Sequence, residues 1–169
     1  MTMVNNDFPK RYGELSSREQ TGRVTNLEDV PDEAPMVILL KTVFTSGGEE
    51  KLFVLLLNAK DCPICEPVRL ARGTQEFPPA FARDVFKEAL KWGAHALMVA
   101  YNHPSGDPTP SAADWVFTEK LLEISRLAGI KFLDHLIIGD ETSKKGQGFV
   151  LLRTSRGWNF ETGARNGKE

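Results

Sequence analysis

No apolar run in the chain approaches the roughly 20 residues a membrane helix needs. The opening MTMVNNDFPKRYGELSSREQ contains no apolar stretch of the signal-peptide kind. Both absences lead to the expectation of a cytoplasmic protein without a membrane partner. A basic excess is missing too: 21 Lys and Arg stand against 23 Asp and Glu, a formal net charge of −2. Such a balance leaves no electrostatic footprint for a phosphate backbone, so strong nucleic-acid binding is not expected. Cysteine is scarce: Cys62 and Cys65 form one C-x-x-C in NAKDCPICEPVR, with no second pair at zinc-knuckle spacing. A thioredoxin-like motif would open a helix, whereas Pro67 and Val68 lead into a strand-like run; the pair reads as two thiols at a hairpin tip. No internal repeat and no domain boundary interrupts the chain.

What remains is ordinary globular material. At 169 residues, 41% hydrophobic and 26% charged, the chain suits one domain with a complete core. Residues 1–34 are polar and without sustained period, and read as a flexible arm. The ordered domain is expected over 35–160, followed by a polar tail at 161–169. PMVILLKTVF (35–44) reads as a strand, EEKLFVLLLNAKD (49–61) as a strand covered on both faces, and VRLARGT (68–74) as its hairpin partner. Ala82, Phe86 and Ala89 recur at helical spacing before Gly93, as do Phe117, Leu121, Ile124 and Ala128 before Gly129. HALMVAYN (95–102), IKFLDHLIIGD (130–140) and GFVLLRTS (148–155) read as further strands. This order predicts an α/β domain with a single mixed sheet flanked by helices.

One loop invites chemistry. NHPSGDPTPSAAD (102–114) leaves a buried strand, is braced by three prolines and runs into a helix start, at the strand end where α/β sheets commonly place ligands. His103 and Asp114 can converge there on one metal. Ser111 and Asp114 also have the spacing of a capping box, which explains both without any chemistry. An H-x-H metal site would carry His at both ends, and here the first position is Tyr101.

NHPSGDPTPSAAD followed by GIKFLDHLIIGD resembles the RadC-like branch of the JAB/MPN metalloprotein family, whose loop reads H-x-H-P-S-G-D-P-x-P-S-x-x-D. EKLFVLLLN, RGT and RDVFKEAL resemble the same family's upstream segments, so the likeness covers about residues 35–160. The resemblance implies the MPN/JAB (cytidine-deaminase-like) architecture and a JAMM-type zinc site. Its chemistry is that of a metallopeptidase or isopeptidase. Three protein ligands leave an open position, where zinc lowers the pKa of bound water toward about 7 and a carboxylate takes the water proton. Carried over residue by residue, His103 matches the second metal ligand, Asp114 the third, Ser111 the oxyanion serine and Glu50 the general base, with Glu49 the alternative base.

Tyr101 departs from the pattern, because a phenol with pKa near 10 is a poor zinc ligand at neutral pH beside imidazole. It is a substitute ligand, a plug that hydrogen-bonds where the metal would sit, or a packing residue. His135 reads as a structural histidine that Asp134 supports, His95 as solvent-facing, and Ser105, Gly106 and Asp107 as turn residues. Three functions follow. The first is a zinc-dependent hydrolase impaired at Tyr101, acting on an unidentified protein or peptide. The second is a non-catalytic MPN-type interaction domain, and the third, resting on the family's name alone, is a DNA-repair protein.

Overall fold

The computed structural model describes residues 39–41, 43–44, 50–72, 80–139, 148–153, 158–159 and 164–165. Strands β1 (Lys51–Leu57) and β2 (Val68–Arg72) are followed by helix α1 (Ala80–Lys91) and strand β3 (Ala96–Asn102). Helix α2 (Ala112–Ala128) leads to β4 (Lys131–Ile138) and β5 (Phe149–Leu151). The five strands form one sheet in the order β2-β1-β3-β4-β5, in which β3 and β4 are parallel and every other neighbouring pair is antiparallel. The expected mixed-sheet α/β fold is the one observed. Short strands β6 (Trp158–Asn159) and β7 (Ala164–Arg165) pair with each other as a separate two-stranded sheet, so part of the 161–169 tail is paired. The expected 1–34 arm lies outside the described residues.

Alternation along the strands sends side chains to two apolar layers. Leu52, Val54, Leu56, Val99 and Tyr101 face α1 and α2, meeting Ala82, Val85, Phe86, Phe117 and Leu121. Leu55, Leu57, Met98 and Ala100 face the other side, covered by Leu39 and Leu40. Being buried on both faces, β1 needed the near-continuous apolar run seen in its sequence. The strand expected over 35–44 is corrected here, because residues 39–41 are helical and a turn follows at Val43. A short apolar run has no period of its own to separate helix from strand, and the requirement to cover Leu55 and Met98 decides the outcome.

Helix α2 starts at a complete capping box: the Ser111 hydroxyl accepts from the Asp114 N–H and the Asp114 carboxylate accepts from the Ser111 N–H. It ends where Gly129 enters the left-handed region at φ 65°, its N–H donating to Ser125 O. Its inner face is Asp114, Phe117, Thr118, Leu121, Leu122 and Ser125. Ala128, expected on that stripe, is exposed in the last turn. In the β1–β2 connection, Cys62 is exposed and Cys65 buried, both as free thiols, and burial pushes the Cys65 thiol up to about 11. A thiol held so far from its thiolate is an inert packing residue.

β4 carries an irregularity that matters for the site. Leu97 pairs with Phe132, but Val99 pairs with His135, so β4 holds one extra residue at Leu133–Asp134. The Asp134 carboxylate fills the gap in the ladder, accepting from the His135 N–H at 2.6 Å and the Arg153 N–H at 3.0 Å. This bulge turns the His135 ring toward α2.

Candidate functional site

The loop leaving β3 is the centre of the candidate site. β3 is the middle strand of the sheet, and its last inward-facing residue is Tyr101, 1% exposed beneath the start of α2. His103 continues the β3–β4 ladder by donating its N–H to Ile138 O at 2.8 Å. The chain then turns: Gly106 donates back to His103 O at 3.0 Å with φ at 77°, a conformation that favours glycine. Asp107 accepts from the Thr109 N–H at 2.9 Å and its own N–H points to Ser105 Oγ, the turn role expected of these residues. Pro108 is buried, and Ser111 hands the chain to α2.

Three side chains meet at the rim. The Tyr101 hydroxyl donates to Asp114 Oδ1, and His103 Nε2 lies 2.6 Å from the same phenol oxygen. Asp114 Oδ2 accepts the Ser111 N–H at 2.5 Å and lies 3.5 Å from His103 Nε2. His103 Nδ1 is 2.6 Å from the Asp107 carbonyl oxygen. Counting donors assigns the protons. A carbonyl only accepts, so Nδ1 carries a hydrogen; the phenol's single proton goes to Asp114, so Nε2 must donate to the phenol oxygen. With Nδ1 on a carbonyl and Nε2 on the phenol oxygen, the surroundings of His103 favour a proton on both ring nitrogens, beside the Asp114 carboxylate.

The electrostatics run the same way. Burial works against charge on His103, yet the contact with Asp114, the bond to the Asp107 carbonyl and the charges of Asp114 and Glu50 raise its pKa above the usual imidazole value. Burial likewise opposes charge on Asp114, and bonds from His103, Tyr101 and Ser111 outweigh it, holding the carboxyl well below the carboxylate range. Burial, together with Asp114 and Glu50, drives the Tyr101 phenol far above its ordinary pKa, so it stays protonated.

Glu50 reaches this group through strand register. Leu52 pairs with Tyr101 across β1 and β3, and continuing that register sets Glu50 opposite His103. The Asn102 side chain fastens the approach, its Oδ1 accepting the Lys51 N–H at 2.8 Å. Burial raises the Glu50 pKa, with the His103 charge opposing and the Asp114 charge adding to the effect. The alternative, Glu49, lies outside the described residues.

A second polar layer lies beneath the first. Thr118 Oγ1 donates to the Asp114 backbone carbonyl at 2.7 Å and meets His135 Nδ1 at 2.8 Å. With the Thr118 proton committed to that carbonyl, Nδ1 of His135 is the donor. The His135 ring also packs 5.2 Å from Tyr101 and 5.6 Å from Phe117. Its burial holds the imidazole neutral, with the pKa lowered to about 4. The structural role expected of His135 is what this geometry describes, and Asp134 supports it by closing the bulge. His95 is exposed at the opposite end of β3 and takes no part.

The structure thus gathers Glu50, Tyr101, His103, Ser111 and Asp114, and leaves His95 apart. Thr118 and Asn102 escaped the reading of the sequence. Thr118 stands four residues after Asp114, on the same helix face, which is the one local signal it offered. Asn102 offered none, because its partner lies 51 residues away.

A single mixed five-stranded sheet with two helices on one face is consistent with an α/β domain of the JAB/MPN type. The RadC-like JAB domain family matches residues 30–149, and the chain belongs to that family. A UPF0758 protein of Carboxydothermus hydrogenoformans is 44% identical over 134 residues, which is 79% of this chain and 56% of that protein. One from Staphylococcus carnosus is 46% identical over 91 residues, 54% of this chain and 40% of that protein. Another, from Enterococcus faecalis, is 33% identical over 138 residues, 82% of this chain and 54% of that protein. The chain spans about half the length of the curated relatives it matches, or less. No helix among the described residues is long and apolar enough to cross a membrane.

Proposed function

We propose that this chain is a RadC-like JAB domain whose JAMM-type centre is closed by Tyr101, so that zinc-dependent peptidase chemistry is impaired. The single observation that carries the reading is the phenol oxygen, bonded at once to His103 Nε2 and Asp114 Oδ1, the two side chains expected to hold the metal. The donor set does not fit a three-ligand zinc. The phenol oxygen engages both His103 Nε2 and Asp114 Oδ1, and Oδ2 of Asp114 serves the helix cap. Burial and the neighbouring carboxylates of Asp114 and Glu50 favour the neutral phenol over the phenolate.

The remaining groups keep a coherent arrangement. Glu50 lies near enough to feel the charges of His103 and Asp114, and the Ser111 hydroxyl stands at the start of α2. These support descent from a hydrolase centre, and the closed triad supports the loss of its metal step.

Calorimetric zinc titration tests the reading. Tyr101→His supplies the missing imidazole and removes the phenol bridge, and is expected to bind about one zinc per chain at least tenfold more tightly than the parent, because three ligands and a water complete a tetrahedral shell. Equal affinity of parent and variant for zinc overturns the proposal. So does peptide hydrolysis by the zinc-loaded parent at the rate of the zinc-loaded variant.

A further inference from the structure

Gly139 follows β4 and donates its N–H to Gly148 O at 2.8 Å. Unlike Gly93, Gly106 and Gly129, it is outside the left-handed region, so backbone conformation does not call for glycine there. Space does. A Cβ at Gly139 would overlap the Gly106 carbonyl oxygen and lie 2.6 Å from Pro108 Cδ and 2.9 Å from Pro108 N. At Gly93 and Gly129 the same atom would meet nothing within 4 Å. The loop backbone from Gly106 to Pro108 therefore rests directly on Gly139, on the face a side chain would occupy.

The peptide unit seated there is the one that matters to the rim. Pro108 N is bonded to the Asp107 carbonyl carbon, and the Asp107 carbonyl oxygen is the acceptor for His103 Nδ1. We infer that Gly139 is a positioning residue: by receiving the Asp107–Pro108 peptide it holds that carbonyl on Nδ1 and so directs Nε2 of His103 at Tyr101. The inference rests on the reading of the rim as a tyrosine-closed site. The His103 N–H bond to Ile138 O ties the start of the loop to β4, one residue before this seat. Both ends of the turn are thus referred to β4, and a substitution at Gly139 displaces the acceptor while leaving the ladder in place.

The chain has three histidines, so the ring nitrogens of each can be followed in a long-range proton–nitrogen correlation spectrum. In Gly139→Ala, both His103 ring-nitrogen resonances are expected to move toward those of exposed His95, while His95 and His135 keep their positions. Gly93→Ala is the control for general loss of stability, since it strains the backbone at φ 61° with open space around the new methyl, and it is expected to leave His103 unmoved. Should Gly139→Ala fail to fold, Pro108→Gly loosens the same seat without overlap and is expected to shift His103 in the same direction by less. Unchanged His103 resonances in a folded Gly139→Ala, or in Pro108→Gly where Gly139→Ala does not fold, overturn the inference. So does an equal shift in Gly93→Ala. These spectra are recorded without metal, so their failure leaves the zinc titration of Tyr101→His to judge the closed-site reading separately.

Discussion

Asp114 and Asp134 are both buried, 4% and 1% exposed, and each has a histidine beside it, yet their carboxyl groups are displaced in opposite directions. Asp114 is held well below the carboxylate range, whereas burial pushes Asp134 up to about 7. The difference lies in the donors. Asp114 receives a phenol, a capping amide and the charge of His103. Asp134 receives two backbone amides on Oδ1, while Oδ2 has no partner among the described residues. The histidines follow suit: His103, beside a carboxylate, is raised, and His135, in an apolar layer bonded to a neutral hydroxyl, falls to about 4. Where burial outweighs the donors, as at Asp134 and His135, the neutral forms are favoured; where donors close around the group, as at Asp114, the charged form is.

Removing the carboxylate from the charged pair is the largest way to break this contrast. Asp114→Ala deletes the acceptor of the phenol, half of the capping box and the carboxylate that favours the charged form of the half-buried His103. A loss of about 3 kcal/mol in urea denaturation is expected, combining the cap and charge-assisted bonds. A loss below about 1 kcal/mol would reduce Asp114 to an ordinary cap residue.

Tyr101→Phe is next. It keeps the ring packing and removes only the bridge, leaving His103 and Asp114 with a direct contact whose present separation is 3.5 Å. About 1–2 kcal/mol of stability should go, the usual cost of leaving buried polar groups short of a partner. An unchanged or raised denaturation midpoint would mean that the pair closes on itself without the phenol.

The smallest effect sharpens the neutral side, through pH. Asp134 binds its proton more tightly folded, at about 7, than unfolded, at 3.8, so its contribution is complete below the unfolded value and is lost as pH rises through about 7. His135 is the reverse: its folded pKa of about 4 lies below 6.5, so its contribution is present above 6.5 and is lost as pH falls toward 4. Between those values the two slopes oppose. Asp134→Asn removes one of them, and between pH 6.5 and 4.5 the variant should lose stability with falling pH by about 1 kcal/mol per unit more than the parent. The midpoints of the two proteins, measured at three pH values, check it; parallel curves would mean that Asp134 titrates alike folded and unfolded.

Sequence and structure part company at recognisable places. The helix stripes at Ala82, Phe86 and Ala89, the Gly129 stop and the capping box at Ser111 and Asp114 were legible, because each depends on residues within a few positions of one another. The doubly covered β1 was legible from its unbroken apolar run. The helical turn at 39–41 was not, since a short apolar run serves either conformation and the layer it covers comes from β1 and β3. The bulge at Leu133–Asp134 was hidden for a similar reason: an extra residue exists only relative to the partner strand.

At the site the same division holds. By itself the sequence determined that His103 and Asp114 would flank one loop, that Ser111 would cap the helix and that Tyr101 would stand two residues before His103 at the strand end. Those are matters of residue type and local spacing. That Tyr101 bonds both of them, that Glu50, just before β1, comes within reach of the His103 charge, and that the loop rests on Gly139 were decided only by tertiary structure. The physical reason is distance along the chain. Hydrogen bonds and side-chain space between residues tens of positions apart depend on strand register and on which face a side chain takes, and packing of the whole sheet sets both.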